Sequence, residues 1–167
     1  MGRMTKEQYI KITEPLRSDP EKTKRVVSMN QLLTGVVFLV YPLYLAVLFI
    51  ESDPKLLRAV LVPAISFVLV TVFRKIVNAP RPYEKFDIPP VIDKDTKGKS
   101  FPSRHVFSVF IIAVTIFCSH PGPGIVIGLI GVAMSVIRVL GGVHEVRDVV
   151  AGAVVGLVCG IVGFYIL

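Results

Sequence analysis

Apolar residues in this chain gather into long runs rather than into the spaced clusters of a water-soluble helix. Residues 31–50, QLLTGVVFLVYPLYLAVLFI, carry no charge over twenty positions. At about 1.5 Å per residue, that length crosses a hydrocarbon core of about 30 Å. Further runs occupy 56–73, 106–119, 124–136 and 149–167, the first of them interrupted only by Arg58 near its start. The third and fourth runs are short and borrow flanking residues, so the expected spans are about 31–50, 56–73, 105–119, 123–138 and 148–167. None shows the ten-residue alternation of a barrel strand, and lipid offers an open sheet edge no hydrogen-bond partners. The pattern therefore predicts an all-α, polytopic membrane helical bundle of about five transmembrane helices.

Polar sequence lies at the start and in the middle. Residues 1–30 are expected to form a polar segment with a short interfacial helix, opened by Thr5 and Gln8 in capping-box spacing and ended by Pro15. The segment does not resemble a signal peptide, because the apolar stretch that follows is too long for one and no small-residue cleavage site comes after it. Residues 31–167 are expected to form one membrane domain, with a Pro-rich, charged connection over 74–104. Loops that long in a compact domain are usually functional.

Composition narrows the classes. A mean hydropathy of +0.68 excludes a disordered chain, and two cysteines are too few for a disulfide scaffold. Cys118 and Cys159 both sit in apolar runs and read as reduced packing residues. Gly152, Gly156 and Gly160 form a ladder on one helical face, and Gly124 and Gly128 repeat the spacing. Such faces let backbones approach, within one bundle as the plainer reading or across a homodimer as the other. Pro42 and Pro63 fall inside spans, where neighbouring helices can satisfy the freed carbonyls.

Several short motifs fail. Gly98-Lys99-Ser100 ends like a P-loop, but Asp93 stands where its first glycine should be. Asp93, Asp95 and Gly98 begin like a calcium loop, but Lys97 occupies a ligand position and Arg104 replaces the bidentate Glu. No HExxH or CxxC spacing occurs, so no metal and no cofactor are expected.

Three clusters at span ends share one membrane face, because an even number of crossings separates them. They are Arg74, Lys75, Asn78, Arg81 and Pro82; Pro102-Ser103-Arg104-His105; and Arg138 through His144 to Asp148. Cations beside spans ordinarily anchor at headgroups. Here several cations and two histidines converge, and their repulsion calls for an anion between them, most simply a phosphate. Arg81 and Arg138 have the fork geometry for phosphate oxygens, and Ser103 with the amides of Arg104 and His105 opens a helix toward the same anion. His144 and Asp148 are four apart, so one helical turn puts carboxylate beside imidazole. His120, in the HPGPG turn at the opposite end, reads as solvated surface, and Glu145 as an acid favourably placed at a helix start.

The three clusters resemble the phosphatidic acid phosphatase type 2 superfamily, whose signature is K-x6-R-P, then P-S-G-H, then S-R-x5-H-x3-D. Arg74-x6-Arg81-Pro82, Pro102-Ser103-Arg104-His105 and Arg138-x5-His144-x3-Asp148 follow it in order and spacing. Arg74 replaces the Lys, Arg104 the Gly, and Ile137 the Ser before Arg138; Lys75 stands next to the replaced ammonium.

The resemblance implies a metal-independent phosphatase acting on a phosphomonoester or diphosphate of a lipid. Phosphatidate, phosphatidylglycerol phosphate and undecaprenyl diphosphate all fit. It implies that His144 attacks phosphorus, Asp148 orients it and His105 protonates the leaving oxygen, while Arg74, Lys75, Arg81, Ser103, Arg104 and Arg138 hold the phosphoryl oxygens. The rival readings are a vanadate-dependent haloperoxidase and a non-catalytic lipid-binding membrane protein. The expected partner is a lipid phosphate in the bilayer, not a nucleic acid. Of the Lys and Arg, 17 fall on the motif face and 2 on the other, which by the positive-inside rule places the site on the cytoplasmic face of the cell membrane.

Overall fold

The computed structural model describes residues 3–166, all of its regular structure helical. Helix α1 covers Lys6–Arg17, α2 Pro20–Ile50, α3 Leu56–Val77, α4 Pro82–Phe86, α5 Arg104–Phe117, α6 Pro121–Leu140 and α7 Val146–Ile161, which runs on as a π-helical turn over Val162–Ile166. Four crossings are long and apolar enough to span a bilayer by length and composition: α2, α3, α6, and α7 with its π turn. The fifth apolar helix, α5, has 14 residues, about 21 Å at 1.5 Å per residue. It is short of a full crossing, and α2, α3, α6 and α7 all pack against it. That position explains its sequence, because Val106, Phe107, Val109, Ile111, Ala113, Val114, Thr115 and Ile116 are buried on every side.

Lipid-facing residues ring the outside. Phe38, Leu39, Ile50, Leu69 and Ile76 are exposed, as the outer surface of a membrane bundle requires. The main core joins Leu33, Val37 and Leu48 of α2 to Ala59, Val109, Ile116 and Met134. A second cluster sets Val70 of α3 against Phe107 and Ile111. Proline inside α2 and α3 does not end either helix.

Some expected boundaries move. Thr5 and Gln8 do form the capping box, yet α1 continues through Pro15 to Arg17. Helix α2 starts well before residue 31, because Asp19 Oδ1 accepts from the amides of Glu21 and Lys22 at 3.0 and 3.2 Å and Pro20 fills the first helical position. The expected break between residues 30 and 31 therefore lies inside a continuous helix. Leu167, at the end of the last expected span, lies outside the described residues, as do residues 1 and 2.

The glycine ladder is used within the chain. A Cβ at Gly152 or Gly156 would lie 2.6 Å from the carbonyl oxygen of Ser103 or Phe107, and one at Gly160 2.7 Å from Val114 Cβ. At Gly124 it would meet Phe117 Cα at 2.5 Å. These faces pack against α5, the within-bundle use of the ladder. Gly128 alone of that expected set has nothing within 4 Å.

Helix α1 packs against the motif-bearing end of the bundle. Tyr9 is buried, and its hydroxyl donates to the carbonyls of Gly142 and Ile88 at 3.3 and 3.4 Å. Arg17 Nη1 donates to Pro89 O at 3.0 Å, and Met4 N to Glu145 Oε2 at 3.2 Å. Helix α1 thus lies on the motif face, as the two crossings α2 and α3 between it and the 74–104 connection require.

Candidate active site

Three elements deliver the site: the end of α3, the start of α5, and the turn joining α6 to α7. Arg74 occupies the last turn of α3, buried, and its guanidinium donates to three carbonyls of the connection: Ser100 at 3.3 Å, Pro102 and Lys99. Arg81 is buried too, with Nε donating to Gly98 O at 3.1 Å and Nη1 to Val143 O at 3.2 Å. Glu84 Oε2 accepts from the amides of Arg81 and Gly98, both at 2.8 Å, closing the connection on itself. The long loop is therefore folded by arginine and glutamate bonds to its backbone, a solution that supplies partners to otherwise buried carbonyls.

His144 is buried in the turn before α7, and Asp148 lies one turn further on. Their closest approach, Nδ1 to Oδ2, is 3.6 Å, and Ser100 bridges the gap. Ser100 Oγ donates to Asp148 Oδ2 at 2.6 Å and lies 3.3 Å from His144 Nδ1. A hydroxyl whose proton is given to the carboxylate can accept Nδ1–H, which leaves Nε2 with the lone pair. Glu145 N also donates to Asp148 Oδ2, at 3.1 Å. Burial brings the His144 imidazole down to about 4, with Arg81 and Arg138 pushing the same way and Asp148 against them. The ring is therefore neutral near pH 7.

Ser103 and Arg138 are buried polar groups with unpartnered atoms. Ser103 N donates to Asp148 O at 2.8 Å, while Ser103 Oγ and Arg138 Nε have no hydrogen-bond partner among the described residues. Buried donors without partners are costly, and an anion would satisfy both. His105, half-buried, lines two spaces at once. One is an apolar groove of about 360 Å³ walled by Val37, Phe38, Tyr41, Phe67, Ile112 and Met134, which Arg104 also lines. The other is a polar cavity of about 530 Å³ shared with Arg138.

Two expected phosphate ligands are set apart. Lys75 is exposed: successive helical residues are about 100° apart, so burying Arg74 turns it outward. Arg104 is also exposed, with its guanidinium 5.3 Å from the Phe67 ring centre at the groove.

Three residues escaped the sequence reading. Ser100 has no motif spacing to announce it. Glu145, read as a helix-start acid, is buried and pairs with Lys85 at 3.2 Å and Arg147 at 3.1 Å. Lys94 lines the polar cavity from the loop, and burial with four arginines nearby lowers its ammonium to about 8. His120, at the opposite end, is exposed as expected and lies edge-on to Tyr44.

The model of the PAP2 superfamily matches residues 55–167, the stretch that contains all three clusters. The chain belongs to the PAP2 superfamily. Bacitracin transport permease protein BcrC of Bacillus licheniformis is 29% identical over 125 residues, 72% of this chain, and the match spans 62% of that relative's length. Among solved structures, LpxE of Aquifex aeolicus superposes with a TM-score of 0.72 at 27% identity, over 94% of this chain and 92% of that one. A transmembrane PAP2-type phosphatidylglycerolphosphate phosphatase from Bacillus subtilis shares the fold at a TM-score of 0.70 and 22% identity, over 94% and 83%. As a PAP2 protein the chain is a multi-span membrane bundle, and its three motifs meet at one end of that bundle.

Proposed function

We propose that this PAP2 protein is an integral membrane lipid phosphatase that works through a phosphohistidine, with its site on the cytoplasmic face. The observation that carries the reading is the buried, neutral His144 held by Ser100 and Asp148 beside Arg81 and Arg138. His144 Nε2 attacks phosphorus, and the bond to the leaving oxygen breaks as His105 gives that oxygen a proton. Arg81, Arg138, Ser103 and the amides at the start of α5 hold the charge that builds on the phosphoryl oxygens. Arg74 acts at one remove, by fixing the 99–102 carbonyls that set Ser100 and Ser103 in place. Water then attacks phosphorus, returns a proton to His105 and frees His144. The apolar groove beside His105 suits an acyl or prenyl tail, so a lipid can present its phosphate without leaving the bilayer. The test is phosphate release from lipid phosphates by His144→Ala purified in detergent. The expected result is loss of at least about 10³-fold, the scale on which removing a covalent nucleophile acts. Activity equal to the unmodified protein would overturn the mechanism.

A further inference from the structure

The polar cavity contains a cation that the three motifs do not account for. Lys94 lines it together with His105 and Arg138, and among the described residues Lys94 makes no hydrogen bond and no ion pair. Its neighbours in sequence, Asp93 and Asp95, are exposed and do not pair with it, although Asp93 lines the same cavity. The charges it feels are those of Arg81, Arg138, Arg104 and Arg74, all of its own sign. The single Asp93 carboxylate does not balance a half-buried ammonium and four guanidiniums, so a further anion in the space is favoured. Arg81, Arg138 and Ser103 already suffice for one phosphoryl group. The cavity also carries Asn30 and Thr34 of α2, whose Oδ1 and Oγ1 are buried without partners. The Thr34 hydroxyl can donate to a phosphate oxygen, whereas Asn30 Oδ1 only accepts.

The order of the two spaces gives the anion its place. Thr34, Phe38 and His105 line both the apolar groove and the polar cavity, so the two are contiguous. A chain lying in the groove brings its first polar group into the cavity beside His105. A neutral hydroxyl there would leave the ammonium uncompensated, whereas a phosphoryl group neutralises it.

We propose that this cavity is a second phosphoryl subsite, in which Lys94 binds the phosphate nearer the tail, and that the preferred substrate class is a lipid diphosphate. The assignment rests on the phosphatase reading above. His144 attacks the terminal phosphorus, the bond from that phosphorus to the bridging oxygen breaks, and His105 protonates the oxygen. Lipid monophosphate remains on Lys94, and water releases inorganic phosphate from His144.

The test uses matched probes, farnesyl diphosphate and farnesyl monophosphate in detergent micelles, with the full chain and its Lys94→Gln and Lys94→Arg variants. The expected result is that the unmodified protein prefers the diphosphate, that the ratio of kcat/KM for diphosphate over monophosphate falls at least about tenfold in Lys94→Gln, and that Lys94→Arg restores most of it. A ratio unchanged in Lys94→Gln overturns the subsite, whether both rates fall together or neither falls. Lys94→Arg guards against a folding artefact, because it keeps the charge and the bulk. No phosphate release by the unmodified protein from either lipid overturns the phosphatase reading itself, a different result from an unchanged ratio.

Discussion

Ser100 shows how one hydroxyl can govern a histidine. Its Oγ lies within hydrogen-bond reach of both Asp148 and His144, whereas the carboxylate and the ring are 3.6 Å apart. Without it, Nδ1–H loses the acceptor that fixes the tautomer. Ser100→Ala is therefore expected to lower kcat about 10- to 100-fold with KM changed less than about twofold, since the loss falls on attack rather than on binding. A matched fall in kcat/KM through KM alone would contradict that role. The pH dependence belongs at this scale too. The ordinary imidazole value is about 6.5, and burial brings that of His144 down to about 4. The neutral form attacks, so activity is held above the folded value and lost as pH falls through it. A histidine at about 6.5 would be roughly tenfold less available at pH 5.5 than at pH 7. Here kcat/KM is expected to stay within about twofold over that interval, after correction for the substrate's own ionisation near pH 6. Phosphate release at the two pH values checks it.

At the scale of elements, α5 and α7 form the pair that brings Ser103 to Asp148. The Gly152–Gly156–Gly160 face lets the backbones approach until Ser103 N donates to Asp148 O at 2.8 Å. A Cβ at Gly156 would sit 2.6 Å from Phe107 O, a backbone atom that cannot swing aside. Gly156→Val is expected to cost about 1–3 kcal/mol by overpacking and to lower the thermal midpoint in detergent. Gly128→Val, where a Cβ meets nothing within 4 Å, is expected to change stability by less than about 0.5 kcal/mol. Equal midpoints for the two variants would contradict the packing argument. Glu145, bonded to Met4 N and paired with Lys85 and Arg147, ties the start of the chain and α4 to the turn that carries His144.

At the scale of the whole molecule, charge sets the orientation expected in the membrane. Lys and Arg divide as 7 in residues 1–30, 8 in the 74–104 connection and 2 at Arg138 and Arg147, making 17, against 2 on the opposite face. Helix α1 packs against the motif end, so the first seven belong with the site. By the positive-inside rule both are expected in the cytoplasm, as proposed above. A cysteine at exposed Thr96, in a background lacking Cys118 and Cys159, is expected to resist a membrane-impermeant maleimide in intact cells and to label after lysis. Ready labelling in intact cells would falsify the cytoplasmic placement.

The membrane class and the helices were legible in the sequence, because hydrocarbon permits only long apolar helices, and so was the nearness of His144 and Asp148, one helical turn apart; that α5 falls short of the four long spans was not. Those signals are local or periodic, and a linear pattern carries them. Tertiary structure decided the rest. Ser100 meets His144 across 44 positions, Arg74 spends its donors on carbonyls about 26 positions away, and the glycine ladder meets α5. No spacing rule encodes these contacts, since they depend on how the 74–104 connection folds back over the bundle. The same holds for Lys94: its charge is plain in the sequence, but its half-buried place beside His105 and Arg138 follows only from where that loop comes to rest.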